Sequence, residues 1–97
     1  MPDESHHKSW RDEQTDELCR AFLKIKDISS MYDFLEDLAT ISEIKSMAQR
    51  LEVAKLLNMS KKYPEVASLT GASTATISRV KRCLEYGTGG YKSVLQE

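Results

Sequence analysis

Apolar residues recur at helical spacing along most of the chain. Three stripes lie at 18–25, 31–38 and 41–54, and charged side chains occupy the positions between them. Spacings of three and four residues place the apolar side chains on one face of a helix with about 3.6 residues per turn. No segment shows the alternation of a half-buried strand. The pattern predicts an all-α fold.

Capping signals indicate where the helices of the first half begin. Ser30 and Asp33 have the spacing of a capping box, in which a side chain at the helix start binds a backbone N–H of the first turn. Thr40 and Glu43 repeat that spacing. The apolar stripe after Thr40 continues far enough to predict a long amphipathic helix that ends near Asn58.

Proline and glycine mark the helices of the second half. Pro64 suits the first turn of a short helix, and Gly71 can adopt the left-handed conformation that ends it. Ser73 or Thr74 is expected to cap the next helix, which Gly87 ends. A last apolar turn after residue 90 brings the predicted number of helices to six.

The segment 63–82, YPEVASLTGASTATISRVKR, has the pattern of a helix-turn-helix. Two helices that meet at a steep angle need a sharp turn, which Gly71 allows. Ala67 is small enough for a close approach between the helices. Ile77 supplies a branched apolar contact, and Val66 and Val80 complete the apolar seam. An ordinary pair of core helices joined by a glycine turn is the alternative interpretation.

Charge is distributed unevenly between the two halves of this 97-residue chain. Residues 1–40 carry five Lys or Arg against ten Asp or Glu, whereas residues 41–97 carry nine against five. A basic working surface is therefore expected in the second half. The length predicts one domain at 10–97, after a polar and disordered tail at 1–9. No apolar run could span a bilayer and no signal peptide is recognisable, so a cytoplasmic protein is expected.

The outer face of the second helix carries short polar side chains followed by basic ones. Short hydroxyls and Ala allow close approach to base edges, and Lys or Arg can bind phosphates. A solvated charge run is the alternative interpretation of the basic residues. The expected contacts with double-stranded DNA are Lys62, Ser73, Thr74, Ala75, Thr76, Ser78, Arg79, Lys81 and Arg82.

The segment LTGASTATISRVKRCLEYG resembles the signature of the Trp repressor superfamily, in which a Gly-Ala turn leads into a recognition helix. GASTATISRV followed by LEYGTGGY is most similar to the YerC/YecD-type branch, and so is MYDFLEDLATISEIKSMAQRLEVAKLL. The resemblance implies a six-helix fold and an intertwined homodimer. It also implies a transcriptional regulator, in the manner of a repressor, that binds its operator through two recognition helices.

The resemblance further implies a possible effector pocket, formed by Arg50, Thr76, Arg79, Val80 and Cys83. In the tryptophan-binding members a glycine stands at the position of Val80 and a serine at that of Cys83. A valine overpacks a fitted site, which typically costs about 1–3 kcal/mol. We therefore expect no dependence on L-tryptophan, and the sequence leaves open whether another small molecule binds.

Other functions lack the residues they require. Neither Cys19 nor Cys83 has a cysteine at metal-binding spacing, and His6 and His7 are adjacent, so no metal site is predicted. The cysteines are expected to be reduced thiols. Without a nucleophile beside a base or a phosphate-binding glycine loop, no catalytic residue, cofactor or enzyme activity is expected. A helical protein-interaction module without DNA binding is the alternative function.

Overall fold

The structure is a computed structural model that describes residues 10–96. The predicted disordered tail at 1–9 lies outside the described residues. Six α-helices and no strand occur within the described part, which confirms the predicted all-α fold. The helices are α1 (Glu13–Lys24), α2 (Ile28–Leu38), α3 (Ile41–Asn58), α4 (Tyr63–Thr70), α5 (Thr74–Tyr86) and α6 (Gly90–Leu95). No helix among these residues is long and apolar enough to cross a membrane.

The chain divides into two compact units, and the first, Met1–Ala39, contains α1 and α2. Phe22 of α1 and Phe34 of α2 meet edge to face, with ring centroids 5.4 Å apart. Neither helix has a buried residue. Ile28 and Tyr32, one turn apart on α2, are 77% and 67% exposed. The unit therefore has an aromatic contact between its helices but leaves much apolar surface uncovered.

The second unit, Thr40–Glu97, has a closed apolar core. Helix α3 packs against α4, α5 and α6, while α5 also packs against α4 and α6. The buried core residues are Val53, Ala54, Leu56, Leu57, Val66, Ala72, Ile77 and Val80. Ala67, Leu84, Tyr91 and Leu95 are partly buried against this core. Both helices of the helix-turn-helix segment, α4 and α5, therefore belong to one packed unit.

Helix α3 has two apolar faces. Val53, Leu56 and Leu57 lie on the buried side. Most of the stripe predicted from the sequence lies on the opposite side, since successive residues turn by about 100° around the helix axis. There Ile41 is 67% exposed, and Leu51 is 41% exposed. The sequence pattern located the helix correctly, but apart from Ala54 it did not identify the face that the unit buries.

Helix starts agree with the predicted caps at Thr40 and differ at α2. Thr40 and Glu43 form the predicted capping box, with Glu43 N–H donating to Thr40 Oγ1 at 3.1 Å and Thr40 N–H donating to Glu43 Oε1 at 2.8 Å. The predicted cap at Ser30 is wrong, because α2 begins one turn earlier. Asp27 is its cap, and Asp27 Oδ2 accepts the backbone N–H of Ser30 at 2.9 Å.

Candidate nucleic-acid interface

Helices α4 and α5 are joined by the short turn 71–73. Gly71 has a φ of 73°, the left-handed conformation that costs glycine least, and its N–H donates to Ala67 O at 2.9 Å. Val66 faces the core from α4, and Ile77 and Val80 face it from α5, each at most 1% exposed. The predicted apolar seam of the helix-turn-helix is present.

The outer face of α5 is small and polar at its start and basic further on. Residues at i, i+1, i+4, i+5 and i+8 share one face of a helix, opposite the buried seam. All five side chains on this face are exposed: Thr74, Ala75, Ser78, Arg79 and Arg82. We call these five residues the outer stripe. Neither Arg79 nor Arg82 forms an ion pair with another described residue.

Ser73 and Thr76, two of the other predicted DNA contacts, are engaged with each other. Ser73 is the N-cap of α5, and its Oγ accepts the backbone N–H of Thr76 at 3.1 Å. The two hydroxyls lie 3.1 Å apart in a second hydrogen bond. These hydroxyls therefore hold the first turn of the helix, in addition to any contact they could make with DNA.

The two remaining predicted contacts are lysines in different surroundings. Lys62 is exposed at the N-cap of α4 and forms no side-chain capping bond. Lys81 is half-buried, and its Nζ lies 3.9 Å from Glu85 Oε2, one turn along α5. A surface ion pair of this kind is weak and is screened by salt. The pair leaves the Lys81 ammonium group available to another anion.

The five residues of the predicted effector pocket lie in different surroundings. Arg50 is half-buried on α3, whereas Arg79 is exposed on the outer stripe. Val80 is 1% exposed within the apolar core. Cys83 lines an open apolar groove of about 680 Å³ beside α6, and that groove includes none of the other four. Thr76 is half-buried at the start of α5.

The structure also contains a link between α3 and α4 that the sequence pattern does not predict. The side chain of Gln49 on α3 donates from Nε2 to the backbone carbonyl of Thr70 at 3.1 Å, at the end of α4. The two residues are 21 positions apart. No pattern in the sequence indicates such a contact, since a glutamine on a helix is usually solvated and the acceptor is backbone.

A metal centre has no ligand cluster among residues 10–96, where no three His, Cys, Asp or Glu side chains lie close enough together to bind an ion. Cys19 is exposed, although the sequence placed it on an apolar stripe, and Cys83 is half-buried.

Comparisons with known proteins agree with this geometry. The family model described as Trp repressor protein matches residues 13–97. The uncharacterized protein YerC of Bacillus subtilis strain 168 is 51% identical over 85 residues, which cover 88% of this chain and 82% of the relative.

Two solved structures are similar over most of the chain. One is a TrpR-like protein from Eubacterium eligens ATCC 27750, with 49% identity, a TM-score of 0.86 and 89% coverage of both chains. Another is a proposed Trp repressor from Staphylococcus aureus, with 44% identity, a TM-score of 0.85 and coverage of 88% of this chain and 85% of that one. The family match, the relative and the six-helix fold with its helix-turn-helix together show that this chain belongs to the Trp repressor family.

Proposed function

We propose that this protein is a sequence-specific DNA-binding regulator of transcription, a cytoplasmic repressor that acts as a homodimer. Helix α5 enters the major groove of double-stranded DNA, and its outer stripe faces the base edges and phosphates. The family membership supports this proposal, because the matching family model describes a repressor protein.

The observation that carries the proposal is the two-sided character of α5. Ile77 and Val80 anchor one side in the core, while the outer stripe on the other side is small, polar and basic. Small side chains at the start let the helix approach base edges closely, and arginines further along can bind phosphate or guanine.

Uncovered apolar surface supports the dimer. The first unit has no buried residue in either helix, and the predicted stripe on α3 is largely exposed. Leu23, Ile28 and Ile41 are 78%, 77% and 67% exposed. Large apolar side chains that are exposed in such number typically mark a protein interface. A second copy would cover these faces symmetrically and would enlarge the small core that so short a chain can form.

The test is a titration of random and selected duplexes at several salt concentrations. Affinity should fall steeply with salt, because each phosphate contact releases counterions. Arg82→Ala should lower affinity for all sequences and reduce the slope of log K against log salt by about 1. Lys92→Ala on α6 removes the same charge away from the outer stripe and serves as the control. A helical protein-interaction module would show no salt-dependent affinity for DNA, and that result would refute the proposal.

We further propose that DNA binding does not require L-tryptophan. Val80 stands where tryptophan-binding members have a glycine, and its side chain is enclosed by the core of its own unit. An apolar side chain at this position can hold α5 in its DNA-binding position, as bound tryptophan would in the ligand-dependent members. A ligand changes DNA affinity only through its differential affinity for two states. The test is a DNA titration with and without saturating L-tryptophan, together with calorimetry on the free protein. Tight tryptophan binding, or a tenfold gain in operator affinity, would falsify this hypothesis.

A further inference from the structure

One side-chain hydrogen bond connects α3 to the helix-turn-helix. Gln49 Nε2 donates to Thr70 O at 3.1 Å, and both residues are half-buried. Among residues 40–96, every other side-chain hydrogen bond joins residues at most four positions apart. Gln49 therefore makes the single polar link between helices in the described part of this unit.

The acceptor of this bond lies where α4 ends. The last carbonyls of a helix lack partners within it, so the carbonyl of Thr70 is available to a donor from elsewhere. The hydroxyl of Thr70 donates to Val66 O at 2.8 Å and accepts the N–H of Ala72 at 3.1 Å. These two bonds keep the shape of the turn, but they lie wholly within the helix-turn-helix. Among the side-chain hydrogen bonds of this unit, only that of Gln49 joins the end of α4 to α3.

This hydrogen bond affects α5 because the turn sets the direction in which α5 leaves α4. The apolar contacts between α3 and α5 are non-directional, and they fix the tilt of α5 only through the fit of the side chains. A hydrogen bond is directional and adds a further restriction on that tilt. Two recognition helices in a dimer must meet major grooves about one helical turn of DNA, or about 34 Å, apart. A small tilt at the turn would be enlarged at the DNA.

We propose that Gln49 is a positioning residue that sets the angle of α5 against α3 and thereby the half-site spacing that the dimer accepts. This inference rests on the proposed function. Gln49 itself is not expected to contact DNA. Its amide fixes the Thr70 carbonyl, and through the turn it fixes the direction of the outer stripe.

The variant Gln49→Met tests the inference, since methionine has a similar length but cannot donate a hydrogen bond. Ser46→Ala, at an exposed position on the same helix, is the control. Each protein is titrated with three duplexes: a selected operator, the same operator with two base pairs inserted between half-sites, and a random sequence. For the operator, we expect Gln49→Met to lose about threefold to tenfold in affinity. It should keep the wild-type salt slope and its affinity for random DNA, while its preference for the original spacing falls.

Hydrogen exchange of the free proteins separates this inference from the proposed function. The amides of residues 70–73 should exchange faster in Gln49→Met than in wild type or Ser46→Ala, because local opening of the turn becomes easier. Unchanged exchange, or an unchanged spacing preference in a variant that binds DNA, would overturn the positioning role. Wild-type protein that fails to bind any duplex would instead refute the proposed function. Faster exchange in the variant would in that case still show that the Gln49 hydrogen bond stabilises the turn.

Discussion

At the scale of single residues, adjacent positions on α5 lie in different environments. Val80 lies in the core, whereas Ser78 and Arg79 lie on the outer stripe. The same helix therefore carries core residues on one side and the proposed DNA contacts on the other. Substitutions on the two sides should have separable effects, the first on unfolding and the second on DNA.

Replacing Val80 by Ala should lower the free energy of unfolding by about 2 kcal/mol. The change removes two buried carbons and leaves a cavity in a core where Val80 is 1% exposed. Ser78→Ala, on the exposed side of the same helix, should change stability by less than about 0.5 kcal/mol. Urea unfolding of both variants checks this prediction. Equal effects would mean that Val80 is not part of the core.

Thr74 and Ala75, the first two residues of α5, should determine which sequences bind. Thr74→Ala and Ala75→Thr are expected to change the preference among duplexes by about 1–3 kcal/mol per disturbed base contact. Affinity for random DNA and the salt slope should stay unchanged, since no charge is altered. Selection of bound duplexes by each variant measures this. Identical selected sites for wild type and both variants would place base recognition elsewhere.

At the scale of elements, the residues at the helix ends are the strongest local determinants of where each helix begins and ends. Helix α3 ends at Asn58, and its C-cap Met59 leads into a Schellman motif, in which Ser60 N–H donates to Leu57 O at 3.0 Å and Lys61 N–H donates to Leu56 O at 3.1 Å. Ser60 has a φ of 65° and is the only non-glycine residue with positive φ in the described part. A side chain in this conformation is strained.

Ser60→Gly should therefore raise the free energy of unfolding by about 0.5–1 kcal/mol, as relief of the left-handed strain outweighs the added flexibility of the unfolded chain. The matched substitution Ser68→Gly, within α4, should lower it by about 0.5–1 kcal/mol. Thermal unfolding should show midpoints displaced in opposite directions. A destabilised Ser60→Gly protein would contradict the geometry of this turn.

The cap of α2 should make stability depend on pH. Hydrogen bonds from the backbone N–H and the hydroxyl of Ser30 lower the pKa of Asp27 below its ordinary value. A carboxyl with a lowered folded-state pKa stabilises the fold above its unfolded-state pKa, and this contribution is lost as pH falls through the folded-state pKa. Asp27→Asn keeps a capping side chain that does not titrate in this range. Its unfolding should depend less on pH than that of wild type in the acid range, and parallel curves would show that Asp27 is not the cap.

At the scale of the whole molecule, the two units differ in both charge and burial. The first unit is acidic and has no buried residue in its helices, while the second is basic and has a closed core. That residues 10–97 form a single domain stays a prediction. The proposed dimer offers a physical reason why both units would belong to one domain. Apolar faces that one chain leaves open become interior when a second copy covers them.

Sedimentation at micromolar concentration should give twice the chain mass, with a thermal midpoint that rises with protein concentration. Ile28→Lys should shift the equilibrium towards monomer, because it places a charge on an exposed apolar position of α2. Ser29→Lys adds the same charge at the next exposed position and should leave the dimer intact. A stable wild-type monomer whose melting is independent of concentration would rule the dimer out.

Much of the fold could be predicted from the sequence because its signals are local. The left-handed Gly71, the capping box at Thr40 and the separation of Val66, Ile77 and Val80 from the outer stripe all follow from spacings within one or two helical turns. The capping pattern was wrong at α2, where Asp27 caps the helix in place of Ser30. The DNA-facing residues remain predictions, because they depend on a partner as well as on the chain.

Tertiary structure decided what depends on residues far apart in the chain. Which face of α3 becomes buried is determined by α4, α5 and α6, and a helix with two apolar faces contains no local signal for that choice. Likewise, Gln49 and Thr70 are joined across 21 positions by a bond to backbone, which no side-chain pattern records. Sequence periodicity specifies which side chains share a face, and only packing specifies what that face meets.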